Sequence, residues 1–423
     1  MINNFFKKII FLIMTISFVS CEVVQIKKNK EIESSPIMEE KKIVSQSEEY
    51  KPFLTEVGSL SWSKFTPSYY TTGFYYDVAY YIPASLDLNQ PNKVLVFLHG
   101  GGETTVSREG SIKAVKKYAR DMMTLADELG LIVVFPSASG LNWSDHMRGM
   151  LKDLNREIKK RVNVDTNRIA LSGHSMGGMG ITRAGHWLAS EYNFIMPLAA
   201  GMDEGIQTEN NLLTNFNTRY YHINGEKDHF DIFLIRALNE QKAMKLLEEK
   251  YGKKSGYTLE FHPGDHKLNL PLVIKRMKTL FEIPRDMYQK YLFGSFFFVN
   301  EIGQDNQDPN GPIRFYNRTA TSDYFWLEAI WLPNIKSARA DFQVKLEENE
   351  LTVVISADHN LKTLRAYLFE EMVDLKQKIR VTVNGKKVKG SVVTILDEAA
   401  QEKLAKDKGD KAFHYQAFID INL

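Results

Sequence analysis

The chain has 423 residues, 43% of them hydrophobic and 25% charged, with a formal net charge of +2. This length predicts two or three domains, and the composition is ordinary for a globular protein. The sequence has no long block of like charge and no nucleic-acid-binding motif, so we expect no nucleic-acid partner. It contains a single cysteine, which excludes an internal disulfide framework.

The N-terminus has the pattern of an export signal. Lys7 and Lys8 precede an apolar run that is too short to span a bilayer and that ends near Cys21. The stretch FVSC resembles the lipobox of bacterial lipoproteins, which implies a signal peptide over residues 1–21 and a lipidated Cys21. The alternative is an ordinary signal peptide that happens to contain a cysteine. We expect a protein lipid-anchored to a membrane of the bacterial cell envelope, on the periplasmic or surface side.

Residues 22–51 have the composition of a flexible tether. They are highly charged, contain no aromatic side chain before Tyr50 and show no sustained hydrophobic period. Such a segment cannot bury enough apolar surface to fold alone. We expect it to let the folded body stand off the membrane.

Residues 52–284 alternate between apolar strands and amphipathic helices. A hairpin region at 57–82 is followed by predicted strands at 93–103, 131–138, 168–173, 194–201, 219–225 and 257–264, and by helices at 111–130, 149–164, 176–191, 231–252 and 270–283. The strands are continuous apolar runs, which is typical of strands buried on both faces. This order predicts an α/β fold with a mostly parallel central sheet covered by helices.

The remaining sequence has a different character. Residues 285–312 are predicted to be a linker, because their second half is rich in Asn, Asp, Gly and Pro. Residues 313–423 suit short antiparallel strands, with a hairpin turn at Asn384-Gly385, and predict a small β-sandwich-like domain. The aromatic residues Phe325, Trp326 and Trp331 are expected in its core. The alternative for them is a platform for a carbohydrate or polymer.

A serine surrounded by glycines carries the chemistry. The stretch Gly173-His174-Ser175-Met176-Gly177 fits the G-x-S-x-G nucleophile elbow, in which a sharp strand-to-helix turn exposes the serine hydroxyl. The helix that follows would direct its dipole and its first amides at the site. Ser175 is therefore the candidate nucleophile.

An early strand ends in a second motif, His99-Gly100-Gly101-Gly102. It fits the HGGG-type loop that supplies backbone amides to an oxyanion hole. The candidate donors are the amides of Gly101 and Met176, with Gly102 a third.

Two loops after later strands supply a candidate acid and base. Their chain order, Ser, Asp, His, is the order that accompanies a nucleophile elbow. Asp228 is the candidate acid, with Asp231 and Asp203 as rivals, although Asp231 is expected to cap the next helix. His266 is the candidate base. Its rival is His262, which is expected to line the wall because it directly follows a strand.

Four further residues are candidates for substrate contact: His99, Trp143, His146 and His174. Trp143 and His146 belong to a loop on the same rim, for which a plain surface loop is an equal alternative. His174 is expected to pack behind the serine. No metal is expected, because Pro263 breaks any helix that would put His262 and His266 on one face, and no HExxH motif occurs.

The stretches LVFLHGGGE, VDTNRIALSGHSMGG, INGEKDHF and GDHKL resemble the α/β-hydrolase family over roughly residues 80–281. They are most similar to its polyhydroxybutyrate depolymerase, feruloyl esterase and dienelactone hydrolase-like branch. The resemblance implies a Ser175 nucleophile, a His266 base and an Asp228 orienting acid. It also implies a small-molecule or polymeric ester substrate and no cofactor. Two alternatives stay open: a serine peptidase on the same fold, and a binding lipoprotein with an inactive hydrolase core.

Overall fold

The computed structural model describes residues 50–68, 75–101, 107–138, 143, 147–202, 207–228, 231–299, 303–305, 314–316, 319–321, 323–335, 337–389, 391–410 and 413–423. The predicted signal peptide and Cys21 lie outside these residues, as do Gly102, His146 and Asp203. Residues Glu48–Leu423 form one compact unit. Among the described residues, no helix has the length and apolar character needed to cross a membrane.

The first part of this unit alternates strands and helices. In chain order the elements are β1 (Ser61–Phe65), β2 (Tyr76–Tyr81), β3 (Asn92–Leu98), α1 (Arg108–Leu129), β4 (Leu131–Pro136), α2 (Met147–Arg161), β5 (Val164–His174), α3 (Met176–Gly185), β6 (Phe194–Leu198), α4 (Glu209–Leu213), β7 (Arg219–Gly225), α5 (Asp231–Tyr251), β8 (Tyr257–His262) and α6 (Leu270–Glu282).

One eight-stranded sheet forms the centre of this part, in the order β1-β2-β4-β3-β5-β6-β7-β8. The strands from β4 to β8 along this order are parallel, whereas β1 and β2 pair antiparallel at one edge. Alternate side chains serve the two faces: Val94 and Val96 of β3 pack in a cluster with α2 and α3, and Leu95 and Phe97 pack in a cluster with α1 and α6. The predicted α/β fold is confirmed.

The edge of the sheet begins earlier than expected. Tyr50 forms a parallel bridge with Trp62, and the Lys51 N–H donates to the Trp62 carbonyl. The Tyr50 hydroxyl donates to the buried carboxylate of Asp77 at 2.5 Å. The last two residues of the predicted tether, 22–51, are therefore part of the folded body, because an aromatic anchor fixes them.

In the residues that the structure describes, the second part is all β apart from one helix. Its elements are β9 (Tyr291–Val299), β10 (Gly303–Asp305), β11 (Arg314–Tyr316), β12 (Thr319–Thr321), β13 (Asp323–Tyr324), β14 (Leu327–Trp331), β15 (Ser337–Glu347), β16 (Glu350–Ile355), β17 (Leu361–Leu368), β18 (Arg380–Val383), β19 (Lys386–Lys387), β20 (Val393–Ile395), α7 (Glu398–Lys408) and β21 (Ala417–Asn422).

Two sheets of this part share one apolar core. The first has the order β12-β9-β15-β16-β18-β19 and the second β13-β14-β17-β21-β20. Trp326 and Phe325 lie in the core between them, and Trp331 packs against it half-buried. The predicted sandwich-like architecture and the core position of Phe325 and Trp326 are confirmed, whereas Trp331 lies only at the margin of the core.

The predicted linker 285–312 was wrong over part of its length. Residues Tyr291–Val299 form β9, which pairs antiparallel with β15 from Tyr291 to Val299. The sequence YLFGSFFFV is apolar enough to form an inner strand, and its turn-rich neighbour at 300–312 obscured this signal. The sandwich therefore begins about twenty residues before the predicted start at 313.

Candidate active site

The turn after β5 holds Ser175 in an unusual backbone conformation. Its φ is 56° and its ψ is −120°, and α3 begins at the next residue, Met176. A Cβ on Gly173 would lie 2.7 Å from the backbone of Gly177, and a Cβ on Gly177 would lie 2.1 Å from the Leu98 carbonyl oxygen. Both positions accept only glycine, because the turn brings the backbones of β3, β5 and α3 into contact.

Three side chains meet at the carboxyl ends of the parallel strands. Nε2 of His266 lies 2.8 Å from Oγ of Ser175, and Nδ1 of His266 lies 2.8 Å from Oδ2 of Asp228. A carboxylate only accepts hydrogen bonds, so Nδ1–H donates to Asp228 and Nε2 accepts from the Ser175 hydroxyl. Asp228 is 3% exposed. The His266 side chain is 13% exposed, and the Phe233 ring stacks on its imidazole at 5.5 Å.

The loop after β3 is fixed from behind by buried side chains. Nε2 of His99 accepts the Ala138 N–H at 3.0 Å, so Nδ1 carries the proton and donates to the Gly100 carbonyl at 3.0 Å. The indole N–H of Trp143 donates to the His99 carbonyl at 2.9 Å. Burial lowers the pKa of His99 to about 4, so the ring is neutral at pH 7. Gly101, one of the predicted oxyanion donors, is exposed at the end of this loop.

Strand order, elbow and side-chain geometry together identify the architecture. The fold is an α/β-hydrolase fold. No protein-family model matches the chain. A bifunctional acetylxylan esterase/xylanase from Neocallimastix patriciarum is 32% identical over 109 residues, which is 24% of this chain and 15% of that relative. The chain thus matches well under two thirds of that protein's length.

Comparison with solved structures finds matches of low identity and low TM-score over about half of this chain. A thermostable esterase is 18% identical, with a TM-score of 0.42 over 53% of this chain and 63% of that one. A poly(aspartic acid) hydrolase-1 from Sphingomonas sp. KT-1 is 15% identical, with a TM-score of 0.43 over 53% and 99%. A ferulic acid esterase is also 15% identical, with a TM-score of 0.42 over 53% and 98%.

The rival candidates for acid and base have other positions where the structure describes them. Nδ1 of His262 accepts the Gly264 N–H at 3.1 Å, so this histidine orders its own loop. Asp231 is the first residue of α5, and Asp203 is outside the described residues. Of the candidates for acid and base, the structure brings only Asp228 and His266 into line with Ser175 among the residues it describes.

The residues predicted to contact substrate are mostly buried. His99 is 0% exposed, Trp143 2% and His174 5%, and their side chains form hydrogen bonds inside the protein. The burial of His174 fits its expected position behind the serine, and substrate contact by the three residues stays a prediction. His146 is outside the described residues.

Two residues at the site carry no sequence signal. Tyr118 lies in α1, where its spacing is that of any core residue, and its hydroxyl lies 2.9 Å from Nδ1 of His174. Phe233 lies in the first turn of α5, and its stacking on His266 depends on a tertiary contact. Hydrophobic periodicity cannot distinguish either from a packing residue.

Other polar sites do not coincide with this one. Within the described ranges, no three His, Cys, Asp or Glu side chains are placed to hold a metal ion. A cleft of about 1060 Å³ lies between α2 and α7, lined by charged side chains of both signs such as Arg156, Lys160 and Glu402. Neither the elbow nor the His266 loop lines this cleft.

Proposed function

We propose that the protein is a serine hydrolase that cleaves carboxylic esters through an acyl-enzyme on Ser175. The observation that carries the proposal is the unbroken hydrogen-bonded line from Ser175 through His266 to Asp228, with both contacts at 2.8 Å. Serine has no appreciable nucleophilicity at neutral pH without such a base. The positive φ of Ser175 supports the same role, because strained backbone is concentrated at functional sites.

In the first half-reaction, Ser175 Oγ attacks the ester carbonyl carbon while Nε2 of His266 takes the hydroxyl proton. Asp228 keeps the imidazole in the tautomer with Nδ1 protonated and stabilises the imidazolium that forms. The backbone N–H groups of Gly101 and Met176, with Gly102 as a third, would bind the oxyanion. The tetrahedral intermediate then breaks its bond to the alcohol oxygen, which receives the proton from His266.

In the second half-reaction, water takes the place of the alcohol. His266 removes a proton from the water, the hydroxide equivalent attacks the acyl carbon, and the proton passes to Ser175 Oγ as the acid leaves. Every proton is returned within the cycle.

The first experiment measures hydrolysis of p-nitrophenyl esters of increasing acyl length, with a fluorophosphonate probe for the nucleophile. The chain used begins at Glu22, which retains every described element. We expect hydrolysis and labelling, both abolished in Ser175→Ala, and the acyl-length profile would measure the pocket. Wild-type protein that neither hydrolyses any ester nor reacts with the probe would contradict the proposal.

A histidine pair provides the matched control. His266→Ala removes the base and should reduce kcat by several orders of magnitude. His262→Asn keeps an acceptor near the position of Nδ1, so the Gly264 N–H remains satisfied and activity should stay near wild type. Equal losses in both variants would show that loop disruption, not loss of the base, explains the effect.

The same geometry bears on the two alternatives. A serine peptidase would use the same residues, so matched ester and amide substrates must decide, and faster turnover of the amide would favour a peptidase. An inactive binding lipoprotein would tolerate a broken triad, whereas both contacts here are 2.8 Å. This favours an active enzyme.

We also propose that the enzyme is exported and lipid-anchored through Cys21. The support is the sequence alone: a charged start, a short apolar run and a lipobox-like FVSC. Cys21→Ser should abolish incorporation of labelled palmitate and release the protein from the membrane fraction. Ser20→Ala, which retains the cysteine and a small residue before it, should not.

A further inference from the structure

We propose that Tyr118 and His174 form a brace that holds the Gly100 loop and the His266 loop in register with Ser175. The brace is defined as these two side chains. Tyr118 is 9% exposed and His174 5%, and neither has a place in the chemical steps described above. The proposal rests on the proposed serine-hydrolase function, because it concerns how that site is positioned.

The direction of each hydrogen bond in the brace follows from the His266 carbonyl, which can only accept. The backbone carbonyl of His266 lies 2.7 Å from Nε2 of His174, so Nε2–H donates to it. In a neutral ring Nδ1 then accepts, and the donor 2.9 Å away is the Tyr118 hydroxyl. The Tyr118 oxygen also lies against Gly100, since a Cβ on that residue would lie 2.4 Å from it.

These two hydrogen bonds and the close contact at Gly100 join three segments around the site. Gly100 precedes the oxyanion candidate Gly101, His174 precedes Ser175, and the accepting carbonyl belongs to His266 itself. The segments approach so closely that a Cβ on Gly100 would lie 2.4 Å from the Tyr118 oxygen and 2.8 Å from the His174 carbonyl oxygen. The brace thus links the ends of β3, β5 and the loop after β8.

The brace keeps one protonation state. Burial lowers the pKa of His174 to about 4 and raises the pKa of Tyr118 to about 12. Both groups are neutral between these limits, so the bond directions are fixed. A displacement of about 1 Å at a catalytic group can reduce turnover about a hundredfold, which is the scale on which such a fixed support matters.

The test compares Tyr118, which lies in α1, with Tyr81, whose hydroxyl bonds to a side chain of α1. Tyr118→Phe removes the bridging hydroxyl and retains the ring contact with Phe97. Tyr81→Phe is the control, because the Tyr81 hydroxyl donates to Asp127 of α1 at 2.8 Å, in the same apolar cluster but away from the site. For both we would measure kcat and KM on a p-nitrophenyl ester, the fluorophosphonate labelling rate and the urea midpoint.

We expect Tyr118→Phe to lower kcat and the labelling rate about tenfold to a hundredfold with KM within about twofold, since ground-state binding is retained. Each variant loses one hydrogen bond, so both should lower the urea midpoint by a similar amount. Tyr81→Phe should leave kcat unchanged. An active wild type with unchanged kcat in Tyr118→Phe would overturn the brace alone. An inactive, unlabelled wild type would overturn the brace and the proposed function together.

A second pair of variants, at His174, tests the brace even if the tyrosine variant misfolds. His174→Gln places an amide N–H where Nε2–H was and should retain part of the bond to the His266 carbonyl, whereas His174→Ala removes it. We expect kcat to rank wild type, then Gln, then Ala. The double variant Tyr118→Phe/His174→Ala should be no slower than His174→Ala, because both changes break one chain. Additive losses would contradict a shared brace.

Discussion

The hydrolase region (Ser61–Glu282) and the sandwich region (Tyr291–Asn422) bury polar groups in different places. In the first, polar side chains such as His99, His174 and Asp228 are buried near the carboxyl ends of the parallel strands, around a serine with positive φ. In the second, the core between the sheets is apolar and aromatic, and β15 alternates buried and partly exposed residues along its length. The first region thus places buried polar groups around a candidate nucleophile, whereas the second buries mainly apolar side chains.

A buried group of charged side chains lies where the sandwich region meets the hydrolase region. Arg285 pairs with Asp410 at 2.6 Å, with both side chains under 10% exposed, and Lys159 of α2 approaches the same carboxylate at 3.5 Å. Phe293 of β9 packs in a cluster with Phe216 and other residues of the hydrolase region. The sandwich therefore supports the hydrolase region from outside and supplies none of the triad.

The largest effect should come from one carboxylate of the hydrolase region. Asp228→Asn keeps the shape but favours the wrong His266 tautomer, so kcat should fall about 10⁴-fold while the fold is retained. The control is the same change in the sandwich region, Asp420→Asn. Asp420 binds Arg365 at 2.7 and 2.9 Å, so its loss should affect stability slightly and activity not at all. Comparable losses of kcat would erase the distinction between the regions.

The next effect tests whether the regions unfold together. Asp410→Ala leaves the buried Arg285 without its carboxylate, so the free energy of unfolding should fall by about 3–5 kcal/mol. Because the two regions form one compact unit, urea unfolding should shift as a single transition, followed by tryptophan fluorescence and by ester hydrolysis. The control is Asp407→Ala, which removes an exposed ion pair with Lys403 and should change the stability little. Two separate transitions would show that the sandwich folds independently.

The sequence was sufficient for those parts of the molecule in which the local signal and the tertiary role coincide. Continuous apolar runs gave the parallel strands, and β7 has the predicted bounds of 219–225. The glycines at 173 and 177 predicted the elbow, because only a sharp turn requires them. Asp228 and His266 followed from the chain order of this fold, and the structure brings them together with Ser175.

The sequence was insufficient where neighbours decide the direction of a side chain. His99 and Trp143 are candidates for substrate contact from the sequence, yet both side chains are buried and form hydrogen bonds within the protein. The helix predicted to reach 191 ends at Gly185, and a 3-10 turn at Ala189–Glu191 follows it before β6. β9 was missed because its pairing partner, β15, begins about forty residues later in the chain. These features depend on long-range contacts that periodicity does not encode.

A further effect concerns acid stability, which should arise mainly in the hydrolase region. Burial lowers the pKa of His99, His174 and His186 to about 4. The unfolded chain binds these protons near pH 6.5, so stability is complete above that value and falls as the pH drops towards 4. The shift from 6.5 to about 4 corresponds to roughly 3 kcal/mol per histidine at most.

The measurement is the urea midpoint at several pH values between 7.5 and 4. His186→Gln removes one of these titrating groups away from the triad and should flatten the loss by about a third, since three such groups contribute. His359→Gln in the sandwich region should flatten it less, because His359 is less buried and its pKa is lowered to a smaller extent. A midpoint that does not change with pH in the wild type would contradict buried neutral histidines.

The smallest effect isolates the backbone of the nucleophile. Ser175 has a φ of 56°, which glycine adopts without strain, so Ser175→Gly should relieve about 1–3 kcal/mol. Part of this gain is offset, because glycine adds about 0.4–1 kcal/mol of unfolded-state entropy and the contact with His266 is lost. We expect a net stabilisation of about 1 kcal/mol in the urea midpoint, with all activity lost.

Ser172, on the strand that leads into this turn, provides the contrast. It is buried, its hydroxyl donates to the Met196 carbonyl at 2.7 Å, and it is not among the residues with positive φ. Ser172→Gly therefore loses a hydrogen bond and gains entropy only in the unfolded chain, so it should destabilise the protein by about 1–3 kcal/mol. Opposite signs for two serine-to-glycine changes three residues apart would locate the strain at the nucleophile. If both variants lose stability equally, the turn at Ser175 is relaxed, and its conformation cannot be attributed to a requirement of catalysis.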